Sequence, residues 1–248
     1  RSYDKLIKNI DFFKQYDQSV KMTISSFTIP HLADSVIHIH ELGMKPEANV
    51  VFEHVWGNLE EKSKLLDTYA QELDKLITFY LKHPELDVPR LLSHRIDLLG
   101  SAYEYGLEEK HCGAGKYMCA VMPDGKEYPC HRFSPLGSKT PIQNIDPGQP
   151  IMGPTKCIEC GIRRLCHSCL GANLEICGSI DIRTTAHCEF LKLEVLASAK
   201  LAAKRLELIA DTFSSETEDM FDKRMSANAL QMNEYFKAIV WIQENVAL

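Results

Sequence analysis

The chain has 248 residues, 45% hydrophobic and 25% charged, the balance of a globular protein with one or two domains. Its net charge of -6 excludes a broad basic surface for nucleic acid and a polybasic membrane signal. No apolar run approaches the roughly 20 residues that a bilayer requires, and no signal peptide is visible. The expected compartment is therefore the cytoplasm, where clustered cysteines are metal ligands before they are disulfides.

Residues 3–15 (YDKLIKNIDFFKQ) carry Leu6, Ile7, Ile10 and Phe13 at helical spacing. The sequence opens at Arg1 inside this pattern, which leads to the expectation of further chain upstream. Residues 20–26 alternate as a strand does, and Pro30 ends the turn that follows. Residues 31–42 return to helical spacing, with Gly43 suited to the C′ position. Residues 49–55 (NVVFEHV) read as a short buried strand. Residues 59–82 predict a long helix with Leu65, Leu66, Tyr69, Leu73, Leu76, Ile77 and Tyr80 on one stripe. Helix, strand, helix, strand, helix implies parallel strands with crossover helices. Two strands cannot close a barrel or cover both sheet faces, so residues 1–83 are expected to belong to a larger α/β unit or to lean on one.

Residues 84–111 read as a linker with a short helix at 88–99. Pro123-Asp124-Gly125, between residues 117–121 and 127–128, predicts a β-hairpin. Residues 134–156 are rich in Pro and Gly and read as a loop. Helices are predicted at 190–213 and within 217–246.

All nine cysteines lie between Cys112 and Cys188. In order they are Cys112, Cys119, Cys130, Cys157, Cys160, Cys166, Cys169, Cys177 and Cys188. The pairs Cys157-x2-Cys160 and Cys166-x2-Cys169 are knuckles, tight turns that aim two thiolates at one centre. Eight of the nine would fill two four-thiolate sites. Soft thiolates hold zinc and iron–sulfur clusters alike, so spacing alone leaves both open.

The order Cys112-x12-Gly125-x4-Cys130, Cys157-x2-Cys160-x5-Cys166-x2-Cys169, then Cys188, resembles the SPASM auxiliary domain of radical SAM peptide- and protein-modifying enzymes. The text CGAGKYMCAVMPDGKEYPCHRF (112–133) is similar to the peptide maturases of that group. The spacer between Cys166 and Cys169 is two residues where the usual pattern has three. The resemblance covers residues 112–190 and implies an α/β partial (β/α) barrel fragment (1–83), a linker or bridging helix (84–111), the small cysteine-rich domain (112–190) and C-terminal helices (191–248).

It implies two auxiliary [4Fe–4S] clusters: one on Cys112, Cys130 and Cys169, the other on Cys157, Cys160, Cys166 and Cys188. Cys119 is either a fourth ligand of the first or a small buried strand residue; without it, that cluster has an open iron. Cys177 matches no ligand position. His111, His131, His167 and His187 each adjoin a cysteine and read as hydrogen-bond donors or bystanders. His131 replaces the Asp that acts as base in sulfatase-maturing relatives; it is a candidate catalytic residue or a cap on the hairpin end. Arg132 contacts an acidic substrate or only solvates the loop. Ser25, Ser26, Glu53 and His54 fall at predicted strand ends, where α/β ligands bind; by resemblance they face an S-adenosylmethionine pocket, with Ser25 and Glu53 the candidate contacts and plain strand-end polar residues the alternative.

The C-x3-C-x2-C triplet that starts this family's chemistry does not occur in these residues. S-adenosylmethionine and a third [4Fe–4S] cluster are therefore expected only with a missing N-terminal half of the barrel. The implied activity is radical modification of a ribosomally made precursor peptide, by a thioether or another crosslink. Implied partners are that peptide, the missing half, and an electron donor such as flavodoxin or ferredoxin, with no nucleic acid and no membrane. The alternatives are a zinc-stabilised, non-catalytic binding module and a two-cluster electron-transfer module without a substrate.

Overall fold

The computed structural model describes residues 2–96, 112–137, 139–145, 157, 160–163 and 165–212. The helices expected within 217–246, the end of the 88–99 helix and His111 lie outside the described residues.

The first helical stretch is two short helices, α1 (Ser2–Ile7) and α2 (Ile10–Lys14). The break has a local cause. Asn9 turns its side-chain amide onto the Lys5 carbonyl at 2.8 Å, in competition with the helix's own bonding. Strand β1 (Ser19–Ile24) and strand β2 (Lys45–Val50) pair in parallel, from Ser19 opposite Lys45 to Ile24 opposite Val50. Helix α3 (Leu32–Glu41) makes the crossover between them. It closes on Gly43, whose φ of +71° is the left-handed conformation a C′ glycine supplies. Strand β2 begins four residues earlier than its apolar run suggests and ends before Phe52 and Glu53. Pairing with β1 draws Lys45, Pro46 and Glu47 into the sheet despite their low strand propensity, and Pro46, Ala48 and Val50 turn inward.

Helix α4 (Leu59–Lys82) has the bounds expected from its stripe. Asn58 accepts the Glu61 N–H while the Glu61 carboxylate accepts the Asn58 N–H, a reciprocal capping box. The start of α3 has no such cap of its own. The buried carboxylate of Glu72, on α4, accepts the Ala33 N–H at 2.8 Å and also pairs with Lys75. Residues 88–96 form a 3-10 turn (Arg90–Leu92) rather than the start of a longer helix. Leu91, Leu92 and Ile96 are buried there, and the His94 N–H is held by the Ser198 hydroxyl.

The cysteine-rich segment holds the expected hairpin, β3 (Ala120–Val121) against β4 (Glu127–Tyr128), with Gly125 at φ +81° in its turn. A 3-10 turn (His131–Phe133) follows Cys130. Helix α5 (Leu170–Cys177) starts directly after Cys169, in a stretch for which the sequence pattern predicts no element. Helix α6 (Cys188–Thr212) then crosses back to the front of the molecule.

Helix α6 packs on α4 along its length. Lys62 pairs with Glu189 at 2.7 Å, the Tyr69 hydroxyl donates to Glu194 at 2.8 Å, Lys200 faces Asp74, and Arg205 donates to the Tyr80 carbonyl. The paired numbers rise together, so the two helices run parallel. Phe190, Leu193, Ala197 and Leu201 enter the same core as Ile24, Val36, Val50, Leu73, Leu76 and Leu91. Trp56 lies against the Phe190 ring at a centroid distance of 4.1 Å. A cavity of about 590 Å³ remains between α1, α2, β1 and α3, lined mainly by Leu6, Ile10, Phe13, Val20, Met22 and Ile39.

Candidate metal centres

Away from the main core the cysteines fall into two small clusters. Cys112 and Cys130 pack with Ala114, Tyr128, Phe133 and Leu170, at the junction of hairpin and α5. Cys160 and Cys166 pack with Ile96, Ile162, Leu191 and Val195, at the junction of knuckles and α6. Long-range closure, not local spacing, makes this division, since Leu170 follows the second knuckle and yet joins the hairpin's cluster.

The thiols within each cluster act on one another. Burial pushes the Cys130 thiol up, the Arg132 and Phe133 amides pull it back, and the nearby Cys112 adds to the rise. Burial likewise raises Cys169, with the Ala172 amide and the Arg132 cation opposing and Cys112 again adding. Cys112 and Cys130 share a cluster with Leu170, and Cys169 directly precedes Leu170, so the three form one neighbourhood. Burial raises Cys166 too; Arg183 opposes, and Cys160 and Cys157 add to the rise. Cys157, Cys160 and Cys166 are the second neighbourhood. Cys188 opens α6, one turn before Leu191, which packs with Cys160 and Cys166.

An arginine acts on a thiol of each neighbourhood. Arg132 stands by Cys169, and the buried Arg183 donates to the Cys166 carbonyl at 2.5 Å. A cation near a buried thiol favours the thiolate, the form that binds metal. Among the described residues, no three Cys, His, Asp or Glu side chains converge on a single metal position. The groups are adjacent but open. Gathering three thiolates costs like-charge repulsion that a bound cation offsets. An all-cysteine donor set at a junction of short elements fits either iron–sulfur clusters or zinc.

The remaining candidates are dispersed. Cys119 is exposed, on the wall of a groove of about 450 Å³ with Tyr117, Tyr128 and Asn144, so it fills no core position. Cys177 ends α5. His131 is exposed beside Cys130, and its carbonyl, not its ring, caps the turn by accepting from the Ser134 hydroxyl. Ser25 lies in the turn after β1, where its N–H donates to the Thr28 hydroxyl at 2.8 Å. Glu53 lies just past β2 and is engaged by Arg132 at 2.7 Å, a partner the sequence did not suggest. Ser25 and Glu53 do share one end of the parallel pair, as strand position requires.

Sequence reasoning missed a buried polar joint between these parts. His94, His167, His187, Glu194 and Arg90 line a cavity of about 30 Å³, room for about one water. His94 pairs with Glu194 at 2.9 Å. His187 is buried, packs on Phe52, and neither ring nitrogen meets a partner among the described residues. Burial holds His167 down to about 3 and His187 down to about 4, so both are neutral imidazoles at neutral pH. Histidines adjoining cysteines at 167 and 187 were the only signal of this joint in the sequence.

No described helix is long and apolar enough to cross a membrane. Comparison with known proteins finds no family model, no curated protein and no solved structure that matches the chain.

Proposed function

We propose that the chain is the C-terminal portion of a radical SAM/SPASM enzyme that modifies a ribosomally made precursor peptide in the cytoplasm. The observation that carries this reading is the division of the thiols. Cys112, Cys130 and Cys169 form one neighbourhood and Cys157, Cys160 and Cys166 another, the partition that the resemblance implies for two auxiliary clusters. Two [4Fe–4S] clusters supply electron transfer, or a coordination position for the substrate, when bound.

The chain's own residues hold and shield these centres. Cys112, Cys130 and Cys169 hold the first, which keeps an open position because Cys119 faces solvent. Cys157, Cys160, Cys166 and Cys188 hold the second. Phe133, Leu170, Ile162 and Val195 exclude water around the two sites. His131, exposed beside Cys130, is positioned to exchange a proton with a peptide on that surface. The radical itself would come from a C-x3-C-x2-C half-barrel, whose last strand would pair along the edge of β1 that faces away from β2. Flavodoxin or ferredoxin would supply the electron. The second reading is a zinc-stabilised binding module, favoured by the same all-thiolate donor sets.

Anaerobic purification with iron, sulfide and zinc counted per chain separates the two. A brown protein with about eight irons and eight sulfides, as two four-iron clusters require, supports the enzyme reading. About two zincs and no colour would overturn it and leave the binding module.

A further inference from the structure

From the first thiol neighbourhood, the Arg132 side chain reaches both halves of the molecule. It sits two residues after Cys130, in the 3-10 turn. One guanidinium nitrogen, Nη1, meets Glu53 Oε1 at 2.7 Å, at the end of β2. The other, Nη2, meets Glu175 Oε2 at 2.5 Å, on α5. Its Nε is buried without a partner among the described residues, and its side chain is only 23% exposed. The stem lies in a notch that glycine provides: a Cβ on Gly171 would stand 2.7 Å from Arg132 Cβ and 3.1 Å from its Nε. On the other side Gly137 passes close over the Arg132 backbone, where a side chain would meet Arg132 Cα at 2.8 Å. Two glycines therefore hold open the space that fixes this arginine.

The charges around it are unequal. Two carboxylates share one cation, and the Cys169 and Cys130 sulfurs lie within reach of the same charge. Burial would push the Glu53 carboxyl up, but pairing with Arg132 overrides this and holds it below the usual range. The cation thus interacts with the front unit's carboxylate and with the thiols together. A Lys could hold one carboxylate here but not fork across two.

We propose that Arg132 is a positioning residue that couples occupancy of the first thiol centre to the seating of residues 51–56 at the end of β2. This inference rests on reading Cys112, Cys130 and Cys169 as a metal centre. Filling that centre fixes Cys130 and Cys169, and so fixes the turn that carries Arg132 and the start of the helix that carries Glu175. Arg132 is then held towards Glu53. With the centre empty, nothing but the packing ties the turn to the helix, and the Arg132–Glu53 pair is held less firmly. The strand end is held more firmly when the metal is present.

The test uses the whole chain, reconstituted anaerobically with iron and sulfide, and two readouts. The first is iron loss to a ferrous chelator. The second is hydrogen exchange at residues 51–56 with and without metal. In the wild type, loading is expected to slow exchange at 51–56 several-fold. Arg132→Met is expected to abolish that slowing and to release about half of the iron about tenfold faster, the size of effect that partners of metal ligands exert. The other half, on the second centre, serves as an internal control. Arg132→Lys is expected to fall between. Glu53→Gln removes only the front-unit partner, and is expected to lose the protection at 51–56 while keeping wild-type iron release. It keeps the test decisive if Arg132→Met fails to fold. Loading-dependent protection unchanged in Glu53→Gln, or wild-type iron release in Arg132→Met, overturns the coupling. A wild type that takes up neither iron nor zinc overturns the metal-centre reading instead, and the coupling with it.

Discussion

The front of the molecule and its cysteine-rich part are held together in different ways. In the front, α4 and α6 lie side by side and bury Tyr69, Leu73, Leu76, Phe190 and Leu201 in one continuous core with the sheet. Four polar pairs stitch the same two helices from Lys62 to Tyr80. In the cysteine-rich part the hairpin strands are two residues each, and the apolar clusters are small and centred on thiols. Apolar burial, at roughly 25 cal/mol per Å², is the main stabilising term of the first region. Segments as short as the second rarely bury enough surface to offset their conformational entropy, and need a metal or a covalent link. On the proposed reading, metal binds where the core gives out.

The largest effect should come from breaking the weaker half. Cys166→Ser, or chelation of the loaded protein, is expected to remove hydrogen-exchange protection across residues 160–187 while α4 keeps its own. A structural thiolate site contributes on the order of 10 kcal/mol; equal loss of protection in both regions would show that the halves do not differ in this way. The converse break is Leu76→Ala, at a site with 0% exposure. It is expected to cost about 2–5 kcal/mol in urea unfolding and to leave the metal content unchanged. Tyr69→Phe removes one donor to the buried Glu194, which keeps its His94 contact. An expected cost of about 1–3 kcal/mol would appear in the same urea experiment.

The smallest effect sharpens the comparison by pH. Burial lowers the His40 pKa below its ordinary value, more than Asp87 raises it, and the ring pairs with the Tyr80 hydroxyl at 2.8 Å. The unfolded chain therefore takes up a proton that the folded one resists. The stability this contributes is present above the ordinary imidazole value of about 6.5 and is lost as pH falls below it. His40→Gln is expected to remove a small part of the decline in Tm between pH 7 and 5, the larger part staying with the buried His167 and His187, with no change in metal retention at pH 7.

Some of this was legible residue by residue. Asn58 and Glu61 with the stripe behind them give α4 its start, and Gly43 gives α3 its end, because caps and stripes act over one turn of chain. Pro123-Asp124-Gly125 makes its hairpin for the same reason. The knuckle spacing brings Cys157 to Cys160 without help from the rest of the fold. Other features depend on partners distant in sequence. The extent of β2 is set by β1 across the ladder, the turn at Arg90–Leu92 is tied to α6, and α6 itself is placed by α4. The meeting of Cys112 with Cys169, and of Arg132 with Glu53, required the chain to close over tens of residues. Local turns, the extents of α4 and α6 and the confinement of the cysteines to one segment follow from the sequence alone. Which thiols are neighbours and which carboxylate answers Arg132 depends on the folded chain, because those contacts arise from chain closure and shared burial rather than from spacing.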